Sequence, residues 1–305
     1  MRIVIAGGSG FLGRALRQTL GDAGHQVEIL TRRPRPGRKD ELPWQPNGAS
    51  GPWARALSGA GAVVNLAGEG IADKRWTAAR KQALLRSRLD ATNSLVKAMA
   101  ELSAPPGVFA SASGVGYYGP TGDEPITEAA PAGHDFLGEM ASAWEDAAAP
   151  AAAHARVVLL RTGLVMGSEG ALGKMLLPFK LGVGGRLGPG TQWMPWISVD
   201  DWAGLTARLI TDDTARGAFN LSGPAPVTNA EFTRTLGRVL GRPTIFPVPA
   251  FALRLALGEL SDALLTGQRA VPEKALALGY PFRHATLEAA PVSYTHLTLP
   301  TSDLV

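Results

Sequence analysis

Arg2-Ile-Val-Ile-Ala-Gly-Gly-Ser-Gly-Phe-Leu-Gly13 decides the fold. Arg2 to Ala6 is a short apolar run ended by glycines, which reads as a strand buried on both faces. From Phe11 the apolar residues Phe11, Leu12, Ala15, Leu16 and Leu20 recur at helical spacing until Gly24. Between strand and helix lies Gly7-x-x-Gly10-x-x-Gly13. Glycine serves three needs at such a junction: a tight turn, close approach of the backbone to a pyrophosphate, and close packing of helix on strand. Uncapped N–H groups at a helix start also favour phosphate charge. The strand–turn–helix context points to a dinucleotide cradled by Gly7, Gly10, Phe11, Leu12 and Gly13.

The next strand, Val27 to Leu30, completes a β-α-β unit and is followed by Thr31-Arg32-Arg33. An acidic residue at this strand end would hold the ribose 2′-hydroxyl of NAD. Arginine suits a 2′-phosphate instead, because a guanidinium fork meets phosphate oxygens in pairs. The expected cofactor is therefore NADP(H), with Arg32 and Arg33 as its discriminators. Asn65-Leu-Ala-Gly68 ends another strand on the same edge of the sheet. There Ala67 and Gly68 leave room for a ribose or adenine, and Asn65 offers hydrogen bonds to fix the strand end.

Farther along, Ala62 to Leu66, Val108 to Ser111 and Val157 to Leu160 read as buried strands. They alternate with a long helix from about Thr77 to Leu102 and an alanine-rich helix around Trp144 to Ala153. Alternation of this kind implies a doubly wound parallel sheet of the Rossmann type. After Gly163 the character changes to a glycine-rich loop, Gly182 to Gly190, then Trp193-Met-Pro-Trp-Ile197. A helix from about Asp201 follows, with Asp200-Asp201 read as its cap, and another is capped by Asn229. The expected division is a cofactor domain over 1–165 with parts of 195–225, and a small α+β substrate-side region over 166–290. A Thr-rich segment, 291–305, reads as a non-native or disordered tail.

Composition removes several alternatives. With no cysteine in 305 residues, thiolate metal sites and a cysteine nucleophile are excluded. The five histidines are scattered without ligand spacing, so no metal site is expected. A formal charge of +4 without a long basic run reads as a solvated face and not as a nucleic-acid surface. No apolar run approaches the ~18 residues that a membrane span needs. A cytoplasmic protein with a small-molecule substrate is expected, as monomer or homodimer. The long helix carries Arg80, Lys81, Arg86, Arg88 and Asp90, which suggests at least one wet face.

Taken with Ser111-Ala-Ser-Gly-Val-Gly-Tyr-Tyr-Gly119, these segments resemble the extended short-chain dehydrogenase/reductases. The narrower resemblance is to the NAD-dependent epimerase/dehydratase branch, "epimerase family proteins" of unassigned substrate. It rests on Arg75-Trp-Thr77, Ser113 to Tyr118, Arg161-Thr-Gly163, Gln192 to Ile197, Pro226 to Asn229 and Gly267-Gln-Arg269. The resemblance implies a cleft between a Rossmann core and a small C-terminal domain. It also implies a serine, matched by Ser113, working beside a Tyr-x-x-x-Lys pair. Where that pair is due the chain reads Phe136-Leu-Gly-Glu-Met140, and neither phenylalanine nor methionine transfers a proton. Two readings stand. Another phenol serves an oxidoreductase or epimerase, Tyr118 first and Tyr117 second; or the chain is a non-enzymatic NADP(H)-binding regulator that senses redox state. Glu139 and Glu145 read as solvated helix residues. Gln192, Trp193 and Trp196 are expected to line the cleft or staple the loop.

Overall fold

The structure, a computed structural model, describes residues 1–167 and 169–290; the expectation for segment 291–305 lies outside the described residues. Its strands in chain order are β1 (Arg2–Ala6), β2 (Gln26–Thr31), β3 (Glu41–Pro43), β4 (Ala62–Asn65), β5 (Val108–Gly114), β6 (Arg156–Thr162), β7 (Leu164–Met166), β8 (Trp193–Met194), β9 (Trp196–Ser198), β10 (Gly217–Leu221) and β11 (Val227–Thr228). Its helices are α1 (Phe11–Asp22), α2 (Ala78–Glu101), α3 (Phe136–Ala148), α4 (Gly170–Lys180), α5 (Val199–Thr211), α6 (Asn229–Leu240), α7 (Ala250–Leu257), α8 (Leu260–Leu265) and α9 (Glu273–Ala277).

Seven strands form one parallel sheet in the order β10-β6-β5-β4-β1-β2-β3. The strand order reverses between β1 and β4, and a crevice opens beyond the carboxyl ends of strands at such a switch point. Alternate residues of each strand serve opposite faces. Ile3 and Ile5 pack with Leu16 and Leu20 of α1 and Trp202 and Leu205 of α5. Val4 and Ala6 pack with Ala91, Leu95 and Met99 of α2. Two covered faces explain why β1 is apolar throughout and does not alternate. A smaller cluster of Met166, Phe179, Trp196, Phe232 and Leu236 joins α4 and α6 beside the sheet.

Some element ends depart from expectation, and capping chemistry explains them. Asp135 starts α3 by accepting from the Gly138 N–H, so this helix begins well before Trp144. A separate 3₁₀ turn carries the chain from Ala149 through Pro150 to Ala153. Thr228, not Asn229, caps α6 in a reciprocal box with Glu231. Ser198 caps α5, while Asp201 is fully buried and accepts the Arg283 and His284 N–H groups.

Candidate functional site

The turn after β1 is built on glycine for steric reasons visible in its surroundings. Gly7 has φ +79°, and a Cβ there would stand 2.9 Å from the Leu66 and Ala67 backbone. A Cβ on Gly13 would stand 2.5 Å from Gly8 Cα, so the turn and α1 pack in direct backbone contact. Gly10 starts α1 with no side-chain cap and no acidic residue in the first turn. The helix start thus keeps its positive end for an anion.

Two adjoining cavities open from this turn, and both touch Gly7, Gly10, Leu66 and Gly68. The larger, about 1020 Å³, runs along the ends of β2 and β4 past Thr31, Arg32, Arg33, Trp44, Ala67 and Arg86. Arg32 and Arg33 are exposed, and among the described residues neither pairs with a carboxylate. Their neighbours differ: Arg35 is paired with Glu41, and Arg17 and Arg38 with Asp40. Two uncommitted guanidinium groups at the β2 end, beside a glycine cradle, fit a dinucleotide with a 2′-phosphate. Asn65 has another role. It is fully buried, donates to Thr92 Oγ1 at 2.9 Å and accepts from the Ala67 N–H at 3.2 Å. It shapes the strand end from behind and lines neither cavity.

The second cavity, about 490 Å³, is a chamber between the glycine turn, the end of β5 and α3. Phe11, Leu12, Gly13, Ile71, Leu137, Met140, Ala141, Trp144 and Trp202 give it apolar walls, and Ser113 and Thr162 bring hydroxyls. Ser113 is 5% exposed and donates to Glu145 Oε1 at 2.7 Å. Arg161 grips the same carboxylate through Nε and a terminal nitrogen, both at 2.8 Å. Burial works against the Arg161 charge, but Glu145 overrides it and holds the guanidinium above its ordinary pKa. Glu145 is therefore a buried ion-pair partner rather than a solvated helix residue. Its position on the inner face of α3, opposite β6, was hidden by the local run of alanines.

The tyrosines lie elsewhere. Tyr118 is 4% exposed, donates to Asn220 Oδ1 at 2.7 Å and accepts from Arg161 at 3.0 Å. Burial raises its phenol pKa, partly offset by the Arg161 hydrogen bond. The Arg161 guanidinium stacks on the Tyr117 ring at 3.5 Å. Neither tyrosine lines the chamber; both lie on a short 3₁₀ turn, Val115–Tyr118, and the Arg161 guanidinium lies over each ring. Of the two expected proton donors, Tyr118 is buried and already hydrogen-bonded to Asn220 and Arg161, while Tyr117 is half-buried with its ring under the Arg161 guanidinium.

The missing pair also needs a correction of register. Phe136 packs on Trp76 with ring centroids 5.1 Å apart, outside the chamber lining, under Lys81. Leu137 and Ala141, one helical turn apart, face the chamber with Met140. Leu137 and Ala141 are thus a pair four residues apart on α3 of which both members line this space, whereas of Phe136 and Met140 only Met140 does. Gln192, Trp193 and Trp196 staple loops: their side chains donate to Leu187 and Leu264 carbonyls, Asp123 and the Ala225 carbonyl. Reading by sequence missed Trp44 and Arg86 in the larger cavity and Arg88 in the chamber. The signal for Arg88 was its place in the buried stripe Leu84, Arg88, Ala91, Leu95 of α2.

No helix among the described residues is long and apolar enough to cross a membrane. A profile described as the NAD dependent epimerase/dehydratase family matches residues 3–222, and a domain of unknown function (DUF1731) matches 248–290. The mouse epimerase family protein SDR39U1 is 40% identical over 95% of this chain and 98% of its own length. The epimerase family protein MT2273 of Mycobacterium tuberculosis is 43% identical over 94% of this chain and 95% of its own. Human epimerase family protein SDR39U1, solved with NADPH, superposes with a TM-score of 0.90 at 36% identity, over 97% of this chain and 99% of that one. The seven-stranded parallel sheet, the glycine turn at its switch point and these full-length likenesses agree: the chain belongs to the NAD dependent epimerase/dehydratase family.

Proposed function

We propose that this chain is an NADP(H)-dependent oxidoreductase of the epimerase type, acting on a small carbonyl or hydroxyl substrate held in the chamber beside Ser113. The observation that carries the reading is the continuity of the two cavities across Gly7, Gly10 and Gly68. A dinucleotide anchored at Arg32 and Arg33 would cross the glycine turn and reach the chamber with its other end. NADPH in the human relative's structure supports the choice of cofactor. The bound nicotinamide would supply or accept hydride. The segment beyond β6 forms the substrate side in this reading, apart from β9, α5 and β10.

The chain's own part is to hold the substrate oxygen and move its proton. The Ser113 proton is engaged by Glu145, which leaves the serine oxygen lone pairs to accept from a substrate hydroxyl. As the alcohol is oxidised, its proton passes to Ser113 Oγ while the serine proton passes to Glu145 Oε1. Reduction runs the relay backward. Arg161 holds the Glu145 carboxyl in place through two hydrogen bonds, so this relay requires no phenol. Screening small aldehydes, ketones and alcohols for NADP(H)-dependent turnover tests the reading, with Ser113→Ala as the inactive control. A second reading, an NADP(H)-binding regulator without turnover, draws on Leu137 and Ala141 standing where an acid–base pair would face the chamber. It prevails if the full panel stays inert while NADPH binds.

A further inference from the structure

Apart from Met1 and Leu276, every large aliphatic or aromatic side chain exposed among the described residues falls in two stretches of the C-terminal half. Leu177 and Leu181 around the end of α4, with Val183 beyond them, stand 62 to 69% exposed. Ile245 and Phe246 on the connector, with Phe251 and Leu255 on α7, stand 70 to 78% exposed. Apolar groups scattered singly over a surface are ordinary, but a cluster marks a face that something covers.

The fold brings the two stretches together. The Val248 N–H donates to the Arg186 carbonyl at 2.8 Å and the Gly188 N–H to the Val248 carbonyl at 2.9 Å. Leu187 pairs with Val248 in an isolated parallel bridge, and a Cβ on Gly185 would collide with the Phe246 carbonyl. The segment after Val183 thus runs beside the one after Ile245. Pro243, Pro247 and Pro249 restrict φ around the Ile245–Phe246 tip, so it has little backbone freedom left to lose on docking. One helical turn separates Phe251 from Leu255, which puts both on one side of α7, while Leu253 between them is buried.

Charge on these stretches has one sign. Residues 170–199 carry Lys174, Lys180 and Arg186 and no Asp or Glu. Residues 232–258 carry Arg234, Arg238, Arg242 and Arg254, again with no Asp or Glu. The whole chain is only +4, so its positive excess is concentrated here. Arg238 is met by Glu288 and Arg254 by Asp262, both from outside the stretches. Lys180, Arg186 and Arg242 are exposed, and among the described residues they meet no carboxylate.

We propose that this face docks the protein on an anionic lipid bilayer. Phe246, Phe251 and their apolar neighbours enter the boundary between headgroups and acyl chains, and Lys180, Arg186 and Arg242 meet lipid phosphates. Such a bilayer offers apolar depth and negative charge in one surface. A second copy of the chain does not, because a symmetric pair through this face would set its cations against one another. Attachment is peripheral, since no helix among the described residues is long and apolar enough to cross a membrane. Docking of this kind needs neither NADP(H) nor turnover.

Co-sedimentation of the full chain with vesicles tests the proposal, using phosphatidylcholine alone or with about 30% phosphatidylglycerol to give a negative surface. The protein should sediment with the anionic vesicles and stay in solution with the neutral ones. Raising salt from about 0.1 to 1 M shortens the screening length from roughly 10 to 3 Å and should weaken binding about 10-fold or more. Phe246→Ser with Phe251→Ser should lower vesicle affinity about 10-fold or more, through lost apolar burial. Lys180→Glu with Arg242→Glu should do the same through charge alone. Both double variants should keep the denaturant midpoint of the wild type, because the altered sites are exposed. Should either unfold, the lipid and salt comparisons on the wild type still decide. Binding that ignores lipid charge, that survives either folded double variant, or that is absent with both vesicles overturns the proposal. So does light scattering that finds a dimer in the wild type and a monomer in the phenylalanine variant, for a second copy would then cover the face.

Discussion

Ser113 Oγ donates to Glu145 Oε1 at 2.7 Å, joining the hydroxyl at the end of β5 to a carboxylate on α3 that Arg161 also grips. If this pair moves the substrate proton, Ser113→Ala should lower turnover by about 10²- to 10⁴-fold, the usual worth of a positioned proton-transfer group. NADPH affinity should be unaffected. Steady-state kinetics beside calorimetry would separate the two, and an equal loss in both would show a structural role for the serine.

Removing the carboxylate has a different signature. Glu145→Ala strands the buried Arg161 charge and should cost about 3–5 kcal/mol of stability, read from denaturant unfolding. A loss below about 1 kcal/mol, typical of an exposed pair, would contradict the buried ion pair of the structure.

Tyr118→Phe should destabilise without slowing any reaction. It leaves Asn220 Oδ1 and one Arg161 N–H short of a partner inside the protein, at a cost of about 1–3 kcal/mol. The phenol pKa is raised above its ordinary 10.0, chiefly by burial. The folded state therefore favours the protonated phenol, and this increment of stability is fully present below pH 10. It is lost as pH rises through the folded-state pKa. Unfolding measurements across that range should show wild type and Tyr118→Phe converging above pH 10. A gap unchanged by pH, or a large loss of turnover in the variant, would contradict the placement of this residue.

Much of this was legible in the sequence where local pattern and local structure coincide. The glycine turn, β1 and the span of α2 follow from spacing over a few residues. Other features depend on which face of a helix turns inward. Glu145 and Arg88 look like ordinary helix charges until α3 and α2 are docked on the sheet. Leu137 rather than Phe136 meets the chamber for the same reason: a one-residue step rotates a side chain by ~100° about a helix. Strand-end position likewise does not reveal the hydrogen bond from Tyr118 to Asn220, 102 residues away in the chain.

That rotation makes a direct comparison possible. Leu137→Tyr with Ala141→Lys places a phenol and an ammonium on the chamber face, whereas Phe136→Tyr with Met140→Lys sends the phenol toward Trp76. The first pair should gain NADPH-dependent reduction of simple aldehydes over the parent, and the second should not. Gain by the second pair alone would reverse the assignment of the α3 face.

Cofactor choice follows from Arg32 and Arg33. NADPH should bind at least about 10-fold tighter than NADH, a difference of about 1.4 kcal/mol. Replacing both arginines by alanine should remove the preference. Equal affinities in the unaltered chain would show that neither guanidinium meets a 2′-phosphate.

The central claim is that hydride moves between NADP(H) and a small substrate in the chamber beside Ser113. The most direct measurement is isotope transfer from NADPH carrying deuterium at C4 of the nicotinamide, with products of a carbonyl panel analysed by mass spectrometry. The account predicts deuterium in at least one alcohol product and its loss in Ser113→Ala. NADPH bound tightly, with no label transferred to any acceptor, would contradict it and favour the regulator.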